Sequence, residues 1–396
     1  MTLILTFCFW ICIFLVFYTY IGYAALISIM VKIKELFVSA CPMKNYREED
    51  FPDVTLFITA YNEENVVAEK MTNIAAIDYP KDRLKIVWVT DGSTDNTNKL
   101  LGTYNDITIL FEPQRKGKTA AINRGMTFVD TPFVIFSDAN SLINPEAIRL
   151  MMNKFTNKTV GGVSGEKRIS SSISDGITSH GENVYWQYES KLKDMDSRFH
   201  SVVGAAGELF AIRRDLFDPI PEDSLLDDFI LSMRIAKKGF CIAYTKDAYA
   251  IERGTINIKE EQKRKTRISA GGWQSVFRLY ELLDIFRYGK LSFQYISHRV
   301  LRWTITPFAL FLLLPVSFIL YITGESLCTF YGFIFFTQVF CYLLAYCGYI
   351  FQKKNIRKKI FYIPYYFVFM NTSVFYGLIY LLRNKGTGVW EKATRY

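Results

Sequence analysis

Val54-Thr55-Leu56-Phe57-Ile58-Thr59-Ala60 runs straight into Tyr61-Asn62-Glu63-Glu64. A short β-branched and aromatic run that stops on polar residues reads as a buried strand. The same pattern recurs at residues 84–90, 107–111 and 133–138, with polar or helix-like stretches between. Alternation of this kind predicts an α/β domain with a largely parallel sheet and helices on both faces. Ligands of such sheets bind beyond the carboxyl ends of the strands. Here those ends read Ala60-Tyr61-Asn62-Glu63, Thr90-Asp91-Gly92-Ser93 and Ser137-Asp138-Ala139-Asn140, so polar and acidic residues gather on one rim.

Two common nucleotide folds are excluded. A dinucleotide fold needs GxGxxG after the first strand, and none is present. Arg115-Lys116-Gly117-Lys118 lacks the earlier glycine of a P-loop. Around the α/β domain, expected over residues 44–281, the chain is apolar. Residues 2–31 carry no charge and are long enough to cross a bilayer, so 1–31 reads as an N-terminal membrane anchor. A signal peptide would have a basic start and a shorter apolar centre. Lys32 and Lys34 follow at once, which puts the domain on the cytoplasmic side.

Residues 304–382 hold three further apolar stretches, at about 304–323, 327–351 and 360–382. The basic cluster 352–359 fits the cytoplasm, and the Gly324-Glu325-Ser326 link fits the outer side. The basic tail, 383–396, contradicts this topology if every segment spans. Residues 282–303 mix apolar residues with Arg287, Lys290, His298, Arg299 and Arg302. They read equally as an amphipathic interfacial helix or as a packed soluble one.

The chain has 396 residues, half of them apolar, and a formal charge of +9. That balance excludes a disordered chain and suits anionic lipid or phosphate-bearing ligands. The membrane flanks and the 264–267 segment use the positive charge, so nucleic acid is not expected as a partner. Seven cysteines, with no CxxC pair, imply a reducing compartment. The three histidines form no zinc pattern.

Asp91 with Gly92 can accept from a base edge or simply make a turn. Asp138 and Asn140, two apart on an extended segment, share a face and offer oxygen to Mg²⁺ or Mn²⁺, or they end a strand. Asp227 and Asp228 open an amphipathic run. One is expected to cap it, and the other can act as a general base on a sugar hydroxyl. Arg264 and Arg267 share a helical face and could grip a diphosphate. The following Ile268-Ser269-Ala270-Gly271-Gly272-Trp273 is small-residue rich and is expected to be a loop that moves.

These pieces, in this order over about residues 50–275, resemble the family-2 inverting glycosyltransferases of the GT-A fold. The similarity is greatest to membrane-integrated members that make cellulose, hyaluronan, chitin-oligosaccharide or poly-N-acetylglucosamine. The resemblance implies nucleotide contacts from Ala60, Tyr61, Glu63, Asp91, Lys118 and Asp138, with Asp91 on the uracil. It implies a metal site at Asp138 and Asn140, an acceptor-side segment at Gly207 and Glu208, and a catalytic base at Asp228. Arg264 and Arg267 fall on the QxxRW motif, which holds the diphosphate and the acceptor end. Asn140 replaces the second aspartate of the DxD motif, and Asp227 the glutamate before the base. Arg264 and Ile268 replace the glutamine and tryptophan of QxxRW, which argues against a processive enzyme.

The resemblance further implies a UDP-sugar donor, a Mg²⁺ or Mn²⁺ cofactor, and a saccharide or lipid-linked acceptor. It implies a bacterial inner membrane, membrane-lipid contacts, a role in polysaccharide or glycolipid synthesis, and compatibility with export-complex partners. Three alternatives stay open. A sugar transferase acting on a lipid phosphate, which is already ionised, would depend less on Asp228. A silent scaffold of an export complex would release no UDP. A transporter is disfavoured, because the apolar segments lack buried charges along a path.

Overall fold

The structure is a computed structural model that describes residues 2–37, 45–170, 177–253, 258–324, 327–353 and 359–383. The basic tail beyond 383, residues 325–326 of the expected outer link and 354–358 of the basic cluster lie outside the described residues.

The chain begins with α1 (Thr2–Phe17), a single π-helical turn and α2 (Tyr23–Phe37), which together make one 36-residue helix. The helix therefore runs past residue 31, where the anchor was expected to end. Its last turns serve the protein rather than the lipid. In the described α/β domain follow β1 (Val54–Ala60), α3 (Glu64–Ala75), β2 (Leu84–Asp91), α4 (Thr97–Leu101), β3 (Thr108–Glu112) and α5 (Lys118–Met126). Next come β4 (Phe133–Asp138), β5 (Ser141–Ile143), α6 (Ala147–Lys154), β6 (Val160–Ser170), α7 (Ile177–Phe199) and β7 (Leu209–Arg213). The domain closes with α8 (Asp227–Lys237), β8 (Cys241–Arg253) and α9 (Ile258–Arg278).

The expected strands are present at nearly the expected bounds, in one sheet of order β3-β2-β1-β4-β7-β6-β8-β5. The β3-β2-β1-β4 half is parallel, while β7 joins β4 antiparallel, so the sheet is mixed. Alternation along β1 explains the two layers. Phe57 packs with Val89, Phe136 and Phe229 on one face, and Leu56 and Ile58 pack with Trp88 and Ile135 on the other. The loops after β1 and β2 are stapled together. Ser93 Oγ accepts from the Asn62 amide at 3.1 Å, Asn62 Oδ1 from the Thr94 amide at 2.8 Å, and Thr97 Oγ1 from the Glu63 amide at 2.8 Å.

Ile268–Trp273 is helical, within α9, and not a mobile loop. Its small residues permit close packing. A Cβ on Gly271 would meet Leu226 at 2.5 Å, and one on Gly272 would meet Trp303 at 2.7 Å. The 282–303 segment is not one continuous helix. It is broken into α10 (Ile285–Tyr288), α11 (Lys290–Tyr295), a π turn (Ile296–Val300) and α12 (Leu301–Trp303). Its His298, Arg299 and Arg302 are buried in the protein, whereas Phe286 is 99% exposed.

The C-terminal helices are α13 (Ile305–Ile322), α14 (Cys328–Lys353) and α15 (Lys359–Arg383). With the N-terminal helix they give four helices, among the described residues, that are long and apolar enough to cross a membrane. Phe9 and Cys12 of α1 pack against Leu313 and Val316 of α13. Tyr23, Ile27 and Val31 of α2 pack instead on Leu192 and Phe199 of α7. Lys34, expected only as a charged flank, donates to the Arg198 and Phe199 carbonyls at 2.7 and 3.0 Å and so caps α7.

Candidate active site

The parallel half of the sheet sets the rim. Thr59 of β1 lies beside Asp138 of β4, and Ala60 beside Thr90 of β2. Asp91 and Asp138 therefore flank β1 at the same end, two strand spacings of about 4.8 Å apart. The Asp91 carboxylate is buried and accepts the Lys116 amide at 3.0 Å and the Gly117 amide at 2.7 Å. It thereby fixes the turn that launches α5, and Lys118 is the first residue of that helix. The ammonium of Lys118 lies 2.8 Å from Asp138 Oδ1 and 3.6 Å from Asp227 Oδ2. Burial opposes its charge, but Asp138 and Asp227 hold it protonated, well above the ordinary lysine range.

Asp138, Lys118, Gly207, Glu208, Asp228, Arg264 and Arg267 all line one cavity of about 570 Å³. Residues remote in sequence thus share one space, from β4, α5, the β7 approach, α8 and α9. Ala60, Tyr61, Glu63 and Asp91 lie on the neighbouring rim and are not among the lining residues; the Arg115 guanidinium sits 3.8 Å above the Tyr61 ring. Asn140 is in the turn between β4 and β5 and does not line the cavity either.

Neither aspartate of α8 takes the N-cap position. Leu226 does, without a side-chain bond. Asp228 Oδ1 accepts the Phe229 amide at 2.8 Å, inside the first turn. Burial, followed by the neighbouring Asp227 charge, pushes the Asp228 carboxyl up to about 7, against the pull of Lys118. A carboxyl poised there can exchange a proton near neutrality.

Arg264 makes a two-point pair with Glu261, at 2.9 and 3.0 Å, and is therefore held rigidly. Glu208 pairs with Lys167, which also holds Glu252. Sequence reading missed Trp186, Glu189, Lys193, Arg299 and Arg302, which also line the cavity. Their one sequence signal is the Arg299–Arg302 spacing ahead of an apolar stretch.

Among the described residues no group of three or more His, Cys, Asp or Glu side chains could hold a metal. Mg²⁺ is commonly held by one or two carboxylates together with substrate phosphates. Asp138, a hard oxygen donor on the cavity wall, fits a site of that kind.

Residues 55–220 match the family described as Glycosyl transferase family 2. The probable glycosyltransferase YdaM of Bacillus subtilis (strain 168) is 24% identical over 243 residues, 58% of this chain and 57% of that protein. The poly-beta-1,6-N-acetyl-D-glucosamine synthase of Staphylococcus aureus (strain MSSA476) is 27% identical over 125 residues, 31% of this chain and 30% of that one. The chain thus spans 57% and 30% of the lengths of these two curated relatives. In fold it is similar to the mannosyltransferase PcManGT from Pyrobaculum calidifontis, solved with GDP-Man and Mn²⁺. The TM-score is 0.68 at 22% identity, over 96% of this chain and 99% of that one. The matched segment supplies Asp91, Asp138 and most of the mixed sheet beneath them, so residues 55–220 form a glycosyltransferase family 2 segment on a GT-A-like sheet, with a distant similarity to poly-N-acetylglucosamine synthases.

Proposed function

We propose that the chain moves a sugar from a nucleotide-diphosphate donor, a UDP-sugar in the first instance, to a hydroxyl of a saccharide or lipid-linked acceptor, with inversion. The observation that carries this reading is the shared cavity of Asp138, Lys118, Asp228, Arg264 and Arg267. Asp228 takes the proton of the acceptor hydroxyl as that oxygen bonds to the anomeric carbon. The bond from that carbon to the diphosphate breaks on the opposite face, and the electron pair leaves with the diphosphate. Lys118, Arg264 and Arg267 hold the leaving charge in a partly water-excluded site. Asp138, with the donor's own diphosphate, would hold Mg²⁺ or Mn²⁺, which supplies Lewis-acid stabilisation of the leaving group when bound. Asp91 and the Tyr61–Arg115 stack provide the base-binding side of the rim.

The four apolar helices support an integral membrane protein, and Lys32 and Lys34 favour a cytoplasmic catalytic domain in a bacterial inner membrane. Its product would enter a cell-surface polysaccharide or glycolipid. The test uses the full chain in detergent or nanodiscs with a panel of UDP- and GDP-sugars, with and without Mn²⁺, and reads nucleoside diphosphate release. Turnover with one donor, abolished in Asp228→Asn, is the expected result. Undiminished turnover in that variant removes the assigned base, and silence with every donor leaves a scaffold.

A further inference from the structure

The cavity has a second polar centre away from the acidic rim. Arg302 of α12 is 9% exposed and lines the cavity wall. Its Nη1 donates to Glu189 of α7 at 3.0 Å. Its Nε and Nη2 have no hydrogen-bond partner. Tyr185 and Tyr188 lie within hydrogen-bonding reach of the guanidinium, but at Nε and Nη2 no contact meets the geometry of a bond. Nε and Nη2 form one edge of the planar fork, the edge that presents two parallel N–H groups to a carboxylate or phosphate. A buried donor pair left empty costs free energy, so this edge is built for an oxyanion.

Basic side chains gather around it. The cavity is lined by Lys193, Arg264, Lys265, Arg267, Arg299 and Arg302. Glu189 serves Arg299 and Arg302 together with His298, and Glu261 serves Arg264 and Lys265. Glu208 is taken up by Lys167. Burial alone would push the Glu189 carboxyl up, yet Arg299, His298 and Arg302 hold it well below the usual range, so it stays ionised. Beyond this centre the wall changes character. It is formed by Tyr20 of the N-terminal helix and by Ile363, Phe367, Met370 and Val374 of α15, both candidate membrane spans. The two centres are joined by the rings of Phe229 and Trp303, 4.8 Å apart, which directly follow Asp228 and Arg302 in sequence.

We infer that Arg302 and its surroundings form a subsite for the phosphate that joins the acceptor to a lipid, with the lipid chain lying along α15. This rests on the transferase reading above and narrows its acceptor to a lipid-linked one. The phosphate is gripped by the free fork edge, and the acceptor hydroxyl reaches Asp228.

The probes are farnesyl phosphate, farnesol, inorganic phosphate and UDP, added to the full-length protein in detergent and read by calorimetry and by thermal shift. Farnesyl phosphate is expected to bind at least about tenfold more tightly than farnesol or inorganic phosphate. Arg302→Met should remove that preference, and Arg302→Lys should keep part of it, since one donor replaces two. UDP binding should be unchanged in both variants, which also shows that they are folded. Equal affinity for farnesyl phosphate and farnesol overturns the proposal. So does tight inorganic phosphate binding with no gain from the lipid, which would mark a free-phosphate site, and so does UDP binding that falls with Arg302, which would mark a donor site. Phosphate-dependent binding without turnover of any donor sinks the transferase reading alone and leaves the subsite standing.

Discussion

A Cβ placed on Gly207 would stand 2.9 Å from Oδ2 of Asp228. No larger residue fits there while the carboxylate keeps its place. Gly207→Ala is therefore expected to lower kcat about 10- to 100-fold, as small displacements of a reacting group do, with donor affinity kept. Single-turnover rates beside nucleotide binding measure both. Wild-type kcat in the alanine variant would show that the carboxylate position is not critical.

The raised Asp228 carboxyl fixes the sign of the pH dependence. The base must be ionised, so kcat/KM should climb as pH rises through about 7. Lys118 favours the ionised form, and Lys118→Met should move the acid limb to higher pH. The linkage to stability runs the opposite way. The folded state disfavours the Asp228 charge, a cost absent below the unfolded value near 3.8 and complete above about 7. Asp228→Asn should thus be more stable than wild type at pH 8, by on the order of 1–2 kcal/mol after solvent screening, and equal to it near pH 4. Melting curves at the two pH values decide this.

Gly377 of α15 faces α9 so closely that a Cβ would meet the Ala270 nitrogen at 2.6 Å. Gly377→Leu must push the membrane helix off the helix that carries Arg264 and Arg267. Overpacking of this kind costs about 1–3 kcal/mol. A lowered Tm with a large loss of turnover is expected, and a variant with both intact would mean that the two helices do not act as one unit.

Phe277, Tyr280, Ile285 and Phe286 are exposed just ahead of the C-terminal membrane helices. They are placed to enter the lipid interface, as aromatic anchors do. Phe286→Trp in nanodiscs should be quenched by lipids brominated near the headgroup. Quenching by aqueous iodide instead would put this corner in water.

The parallel strands were legible because each is a dense apolar run ending on polar residues. The antiparallel half was not. Val160–Ser170 opens with Val-Gly-Gly-Val-Ser-Gly, a composition that reads as loop, yet those glycines admit Ile235, Phe240 and Leu209 at distances no Cβ would allow. The same confusion made Gly271-Gly272 read as part of a moving loop when close helix packing is the reason for them. Asp138, Asp228, Lys118 and the arginine pair were candidates from the sequence and its resemblance, and the structure brings them to one cavity. The Glu189–Arg302 centre was not, because its partners lie on α7 and α12 and only tertiary packing brings them together.

At 1.5 Å per residue the 36-residue N-terminal helix is about 54 Å long, against about 30 Å of hydrocarbon. The excess is not spare length, since Tyr23, Ile27 and Val31 are bolted to α7, which also carries Glu189. Under the proposed membrane placement, the helix is a gauge rod that sets the cavity at one height relative to the bilayer. A lipid-tethered acceptor of the proposed kind would then be selected by reach as well as by chemistry, because one tethered too short or too long would present its hydroxyl at the wrong level.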